Sequence, residues 1–286
     1  MNTSMTEQLK QLFKELTPPI FLRVIGPNAL KGEHKKFSSY DDALKECTTD
    51  AYEEQELIEV ILKKTKRFVS KLNEDIIPIW ETSAYTLLSV INPILTNIES
   101  KTINVIDFGG ACGAHYFHIR ALIDKMIRLN WIVVETDTMV KFAKELETSE
   151  LKFRNNISSA VKELGKIDLL HTSGTFQCVN DPEKYLKEVL SVDAQWLLFN
   201  RLGLNTLDKD VITIHRSKLS WNGIGDLPEG YKDRWIKYPF IFSSEKKFND
   251  ELKKNYDLVA RFDDKSGSFD IKGEKIVGYG LLCKKK

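Results

Sequence analysis

Charge of one sign, paired cysteines and long apolar runs are what this 286-residue chain lacks. Lys and Arg total 42 against 41 Asp and Glu, and no stripe of basic residues with interleaved aromatics stands out. The electrostatic footprint of a nucleic-acid binder is therefore missing. Cys47, Cys112, Cys178 and Cys283 are scattered without C-x-x-C spacing, which argues against a structural zinc site or a disulfide framework, and no metal is expected. No apolar run approaches the roughly 18 residues that a bilayer span requires. Met1 to Leu16 is a polar amphipathic pattern rather than a charged start and an apolar core, so no signal peptide is expected and the cytoplasm is the natural compartment. Lys284 to Lys286 read as a solvated tail.

With 42% hydrophobic and 29% charged residues, the composition is that of a globular protein. Residues 1–100 are mostly helical in pattern, with apolar residues at helical spacing in Glu7 to Leu16, Glu54 to Leu72 and Trp80 to Ile98. Pro18, Pro19, Gly26, Pro27, Pro78 and Pro93 punctuate them. From Ile103 strands and helices alternate, the pattern of a parallel sheet covered on both faces. Strands are expected at Ile103 to Phe108, Trp131 to Glu135, Lys152 to Arg154, Ile167 to Thr172 and Trp196 to Asn200. A closing antiparallel pair, Tyr256 to Phe262 and Lys275 to Cys283, follows a helix at Glu245 to Lys254.

The most informative segment is Val105 to Gly113, which reads as a buried strand, a glycine-rich turn and the start of a helix. Such a turn aims backbone N–H groups and a helix N-terminus at a nucleotide-like ligand. In the dinucleotide fingerprint the glycines follow the strand directly and the acidic residue comes later. Here Asp107 precedes Gly109, Gly110 and Gly113 in a D-x-G-G-x-x-G pattern. A second carboxylate, Glu135, ends the apolar run from Trp131, about 20 residues on, where an acidic residue can accept hydrogen bonds from ribose hydroxyls. Taken singly, Asp107 is equally a helix cap and Glu135 a loop-edge charge. Their order around one helix favours an adenosyl cofactor site.

Residues 202–243 form a long connection carrying Trp221, Tyr231, Trp235, Tyr238, Phe240 and Phe242. So apolar a connection is either a lid or substrate wall, with Trp221 and Trp235 as substrate contacts, or a hairpin that pads the sheet edge or makes a dimer contact. Proton acceptors are His115, His118, His171 and His215. His171 has the best position, at the carboxyl end of the fourth strand where ligands of open α/β sheets sit. His115 and Tyr116 follow the glycine loop and are its rivals. Ser173, Thr175 and Gln177 lie on the next loop and can hydrogen-bond cofactor or acceptor, and Arg201 can clamp an anionic group or form a structural ion pair.

D-F-G-G-x-x-G-x-x-Y (Asp107 to Tyr116), V-V-E (Val133 to Glu135), S-G-x-x-Q (Ser173 to Gln177) with Asp181-Pro182, and Asn200-Arg201 together resemble a bacterial family of class I S-adenosylmethionine (SAM) dependent methyltransferases associated with surface-polysaccharide biosynthesis. The resemblance includes Phe37 to Tyr52 and Pro239 to Ser243 and covers most of the chain from near residue 30. It implies a Rossmann-like seven-stranded class I methyltransferase sheet over residues 101–286, with a helical N-terminal extension over 1–100 and the aromatic insert over 202–243. It further implies S-adenosyl-L-methionine held by Asp107, Gly109, Gly110, Ala111, Gly113, Glu135, Thr136 and Ser173; the expected acceptor contacts are Gln177 and Arg201 by position and Trp221 and Trp235 by composition. Cys178 stands where the family has an aromatic residue, and Leu202-Gly203 replaces threonine-proline. Ala111 replaces the middle glycine of the superfamily's G-x-G-x-G and is tolerable there if its φ is negative.

The expected function is O-methylation of a sugar or sugar-linked small molecule, with no nucleic-acid partner and room for a homodimer. The alternatives are a non-catalytic methyltransferase-fold interaction module and, disfavoured by the aspartate before the glycines, an NAD-dependent oxidoreductase.

Overall fold

A computed structural model describes residues 35–47, 53–74, 82–98, 100–271 and 273–286. The helix expected at Glu7 to Leu16, and the punctuation at Pro18, Pro19, Gly26, Pro27 and Pro78, lie outside the described residues.

The sheet is built around β1 (Thr102–Phe108), β2 (Arg128–Val134), β3 (Leu151–Arg154), β4 (Leu169–Ser173) and β5 (Trp196–Asn205), which run parallel in the order β3-β2-β1-β4-β5. These strands read as near-continuous apolar runs because both faces are covered. β9 (Glu274–Lys285) pairs antiparallel with β5, and β8 (Tyr256–Ile271) antiparallel with β9. The closing pair is antiparallel, as expected, and extends the sheet from β5 through β9 to β8. Connecting helices are α4 (Ala114–Leu122), α5 (Asp137–Ala143), α6 (Ile157–Leu164), α7 (Pro182–Ser191) and α8 (Glu245–Leu252), preceded by α1 (Tyr40–Lys45), α2 (Gln55–Asn73) and α3 (Thr82–Thr96). Side-chain caps start several of them: Thr136 for α5, Asn156 for α6, Asp181 with Pro182 for α7 and Ser244 for α8.

Strand parity divides the sheet into two faces. Ile106, Phe108, Ile132, Leu170 and Phe199 pack with α7 and α8. Ile103, Val105, Trp131, Val133, Leu169 and Leu198 pack with Leu57, Ile58 and Ile61 of α2 and Leu87 and Ile91 of α3, so the helical segment shares the core of the sheet. Asp107, His171 and Asn200 continue this second face toward the carboxyl ends of β1, β4 and β5.

The insert is a hairpin, as one of the two sequence readings allowed. β6 (Val211–Lys218) pairs antiparallel with β7 (Trp235–Ser244), whose end runs beside Leu204 and Asn205 of β5. Its far end is anchored on α2. Lys64, 1% exposed, donates to the carbonyls of Ser220 (2.8 Å), Asn222 (2.7 Å) and Gly223 (3.4 Å). Arg234 pairs with Glu54 and Glu56, and Tyr231 donates to Glu59. Among the described residues no helix is long and apolar enough to cross a membrane.

A buried ammonium with carbonyl acceptors is satisfied, and removing it orphans them. Lys64→Met, close in volume, is expected to cost about 2 to 3 kcal/mol. Urea denaturation measures this, and an unchanged midpoint contradicts the anchoring role.

Candidate active site

Parallel register sets Asp107 directly beside His171, and Ser173 beside Asn200. Asp107 and His171 are both 0% exposed and Asn200 is buried. His171 Nδ1 lies 2.9 Å from Asp107 Oδ1, and Asn200 Nδ2 lies 3.1 Å from His171 Nε2. Because Asn200 donates to Nε2, the ring proton is on Nδ1 and is donated to Asp107. From the first turn of α4, His115 brings Nδ1 to 3.3 Å from the other carboxylate oxygen, Asp107 Oδ2. Its ring meets that of His171 edge-on at 4.7 Å, and its side chain is 14% exposed. Nε2 of His115 has no partner among the described residues.

Burial raises the pKa of Asp107, but the imidazoles of His115 and His171 beside it, through the hydrogen bonds they offer, outweigh it and hold the carboxyl well below its ordinary range. Burial pushes the imidazole of His171 below its ordinary value, against the pull of Asp107. The two directions agree on an ionised Asp107 beside a neutral His171.

The glycine loop fits around this carboxylate. A Cβ on Gly110 would sit 2.5 Å from Asp107 Oδ2, and one on Gly109 (φ +73°) would sit 2.1 Å from Thr175 Oγ1. Gly113 (φ +76°) starts α4 in the left-handed region. Ala111 also has positive φ, +49°, so the condition of a negative φ under which an alanine is readily tolerated there is not met. Side-chain crowding makes that conformation cost about 1 to 2 kcal/mol, and the Ala111 N–H is held in it by Glu135 Oε1 at 2.9 Å. Glu135 follows the last residue of β2, is half-buried, and also accepts from the N–H of Thr136. Burial, with Asp107 and Glu53 nearby, raises its pKa against those two hydrogen bonds.

Several expected roles change. His171 cannot be the general base, because it is fully enclosed and both nitrogens are engaged. Tyr116 is not its rival: its hydroxyl donates to Glu150, and burial pushes its pKa up to about 12. Ser173 Oγ accepts from Arg201 Nε at 3.0 Å, and Thr136 Oγ1 accepts from the N–H of Met139 as the cap of α5, which leaves each hydroxyl its own proton to donate. Gln177 Nε2 donates to the Arg201 carbonyl at 2.6 Å. Arg201 itself lies in a β-bulge at φ +52°, pinned to Ser173 through Nε and Nη2 but exposed. Trp221 and Trp235, 64% and 41% exposed, form an edge-on surface pair, with Arg216 over the ring of Trp235. The inward aromatics of β7 are Tyr238, Phe240 and Phe242, of which Tyr238 and Phe240 pack with the core that includes Cys178 and Ala111; His215 stacks on Phe240 at 4.9 Å.

Asn200 entered the sequence reading only beside Arg201. The signal that could have found it is parity, since Trp196, Leu198 and Asn200 face the same way as Leu169 and His171. Asp107, His115 and His171 also bring ligand-type atoms within 4.8 Å of one another, a clustering that positions 107, 115 and 171 do not announce.

No family model and no curated protein matches the sequence. Among solved structures, the fold is similar to the glycopeptide N-methyltransferase MtfA complexed with SAM, at 9% identity over 70% of this chain and 87% of that one, TM-score 0.40. It is similar also to SAM-bound CalS10, an amino pentose methyltransferase of Micromonospora echinaspora involved in calicheamicin biosynthesis, at 9% identity over 73% and 92%, TM-score 0.43. A third is the complex of DhpI with SAH, at 14% identity over 80% and 97%, TM-score 0.33.

His171 and Asp107 bind fewer protons folded than unfolded, so each contributes stability that is present above its ordinary pKa and lost as pH falls. Glu135, with its pKa raised, works in the opposite sense. Stability is therefore expected to decline as pH drops below 6.5, where unfolded His171 gains its proton, and again below 3.8 for Asp107. Urea midpoints against pH should show the first decline in wild type and not in His171→Asn.

Proposed function

We propose that this chain is a SAM-dependent methyltransferase in which His115, oriented by Asp107, is the general base. The observation that carries the reading is the arrangement around the glycine loop. A buried carboxylate lies under Gly110, a second carboxylate lies at the β2 end, and one imidazole on the loop side of the network keeps a free nitrogen.

The residues fit the cofactor. Each oxygen of Glu135 accepts one backbone N–H and retains capacity for another donor, which suits the paired hydroxyls of a ribose. The backbone of Gly109 to Gly113 is bare of side chains that would block close approach, apart from the methyl group of Ala111 and the buried Cys112. SAM supplies a methyl group on a sulfonium leaving group, so the hard chemistry belongs to the cofactor. The chain's part is alignment, worth roughly 7 to 11 kcal/mol, and removal of the acceptor's proton. His115 Nε2 takes that proton as the acceptor oxygen forms its new bond. Asp107 Oδ2 holds the Nδ1–H and offsets the positive charge developing on the ring, the base-and-orienter logic of catalytic dyads.

The acceptor in this reading is a sugar or sugar-linked small molecule methylated on oxygen, in keeping with the family that the sequence motifs resemble. Tyr238, Phe240 and His215 supply an aromatic wall for it, and the outer guanidinium nitrogen of Arg201 is available to an anionic group. Trp221 and Trp235 have no part in it.

Calorimetry is expected to show binding of SAM and its demethylated product and much weaker binding of NAD. Glu135→Ala should raise the SAM dissociation constant about ten- to a hundredfold, the loss of charge-assisted hydrogen bonds worth about 1.5 to 3 kcal/mol. His115→Ala should keep SAM affinity and lower turnover about a hundredfold or more, read by mass spectrometry of acceptors incubated with methyl-labelled SAM. A folded protein that does not bind SAM overturns the assignment. Tight SAM binding with no turnover of any acceptor favours the non-catalytic module.

A further inference from the structure

We infer that Asn200 and His171 are positioning residues: Asn200 decides which nitrogen of His171 carries the proton, and His171 locks the Asp107 carboxylate in the orientation that serves His115. The consequence for turnover rests on the function proposed above; the hydrogen-bond chain rests on geometry alone.

Four side chains from four elements form one line. Asn200 ends the buried run of β5, His171 lies in β4, Asp107 in β1 and His115 in α4, linked at 3.1, 2.9 and 3.3 Å. Imidazole has two tautomers, and a buried ring adopts the one its partners allow. An amide N–H facing Nε2 admits only the neutral ring with Nδ1–H. That proton goes to Asp107 Oδ1, so the carboxylate, which has no exposed surface, cannot rotate without breaking a buried hydrogen bond. Its Oδ2 stays toward His115, with the bare backbone of Gly110 over it. Were His171 cationic instead, it would neutralise Asp107 and leave no negative charge to offset an imidazolium at His115.

The charged and titratable groups facing this line support the neutral form. Arg201 from the end of β5 and His115 from α4 both oppose a proton on His171, while Asp107 from β1 alone favours one, and burial decides against it. Glu135, from the end of β2, faces Asp107 rather than the ring. The other reading of the cluster is a transition-metal site of two histidines and a carboxylate. In that case Nδ1 of both rings would be ligands without protons, and His171 would carry its proton on Nε2, facing an amide turned to present oxygen.

Histidine ¹⁵N spectra separate these readings. Wild type is expected to show His171 neutral, protonated on Nδ1, through the neutral pH range. Asn200→Asp replaces the donor with an acceptor and should move the proton to Nε2 or make the ring cationic, with turnover down about tenfold or more and SAM affinity little changed. His171→Asn places an amide N–H where Nδ1–H was and should recover most of the turnover that His171→Leu loses. A wild-type His171 that is cationic or Nε2-protonated at pH 7, or an unmoved proton in Asn200→Asp, overturns the inference. So does about one tightly bound transition-metal ion per chain by elemental analysis, lost in His171→Asn. If His171→Leu does not fold, the Asn200→Asp spectrum still decides. If wild type binds no SAM, the proposed function fails while the tautomer measurement stands.

Discussion

An ionised carboxylate with no exposed surface, Asp107, sets the terms for everything around the carboxyl edge of this sheet. An unpaired charge there would cost several kcal/mol, so each neighbour is constrained to supply a donor or to make room. His171 gives a proton to one oxygen and His115 reaches the other. Gly110 must lack a side chain because Oδ2 occupies the space. The glycine loop, the first turn of α4 and the fourth strand therefore have to arrive together, and the loop conformation is a consequence of the charge beneath it.

A second constraint acts from above. The β6–β7 hairpin follows the end of β5 at Asn205, returns to pair Ser243 and Ser244 with it, and is fastened to α2 by Lys64, Arg234 and Tyr231. α2 shares the core face of β1 and β2, so the hairpin and the glycine loop are referenced to the same helix. That common support is what places Tyr238 and Phe240 in one packed cluster with Ala111 and Cys178.

What could be read from sequence was local. The run Asp107 to Gly113 and the carboxylate Glu135 carry their meaning within one strand-loop-helix unit, and the alternation of apolar runs placed β1 to β4 closely, whereas β5 runs on to Asn205 and β8 to Ile271, well past their expected ends. What escaped depended on orientation. Trp221 and Trp235 look like pocket residues in a string of letters, but β7 alternates, and Trp235 lies opposite Ile236, the residue that joins the core. Tyr116 and His115 are adjacent in sequence, yet a turn of α4 sends one to Glu150 and the other to Asp107. His171 had the right position and the wrong freedom, because Asp107, Asn200 and His115, which enclose it, are distant in the chain. The left-handed φ of Ala111 likewise follows from the Glu135 carboxylate across the loop.

The cage around Lys64 has a chemical corollary. An amine with its protons committed to backbone carbonyls cannot act as a nucleophile toward an acylating reagent, whereas surface lysines such as Lys166, with 79% of its side chain exposed, can. Each time the hairpin lifts from α2, that amine is briefly bare. Slow covalent labelling of Lys64 thus keeps a cumulative record of how often the roof over the sheet edge opens, written on a single atom.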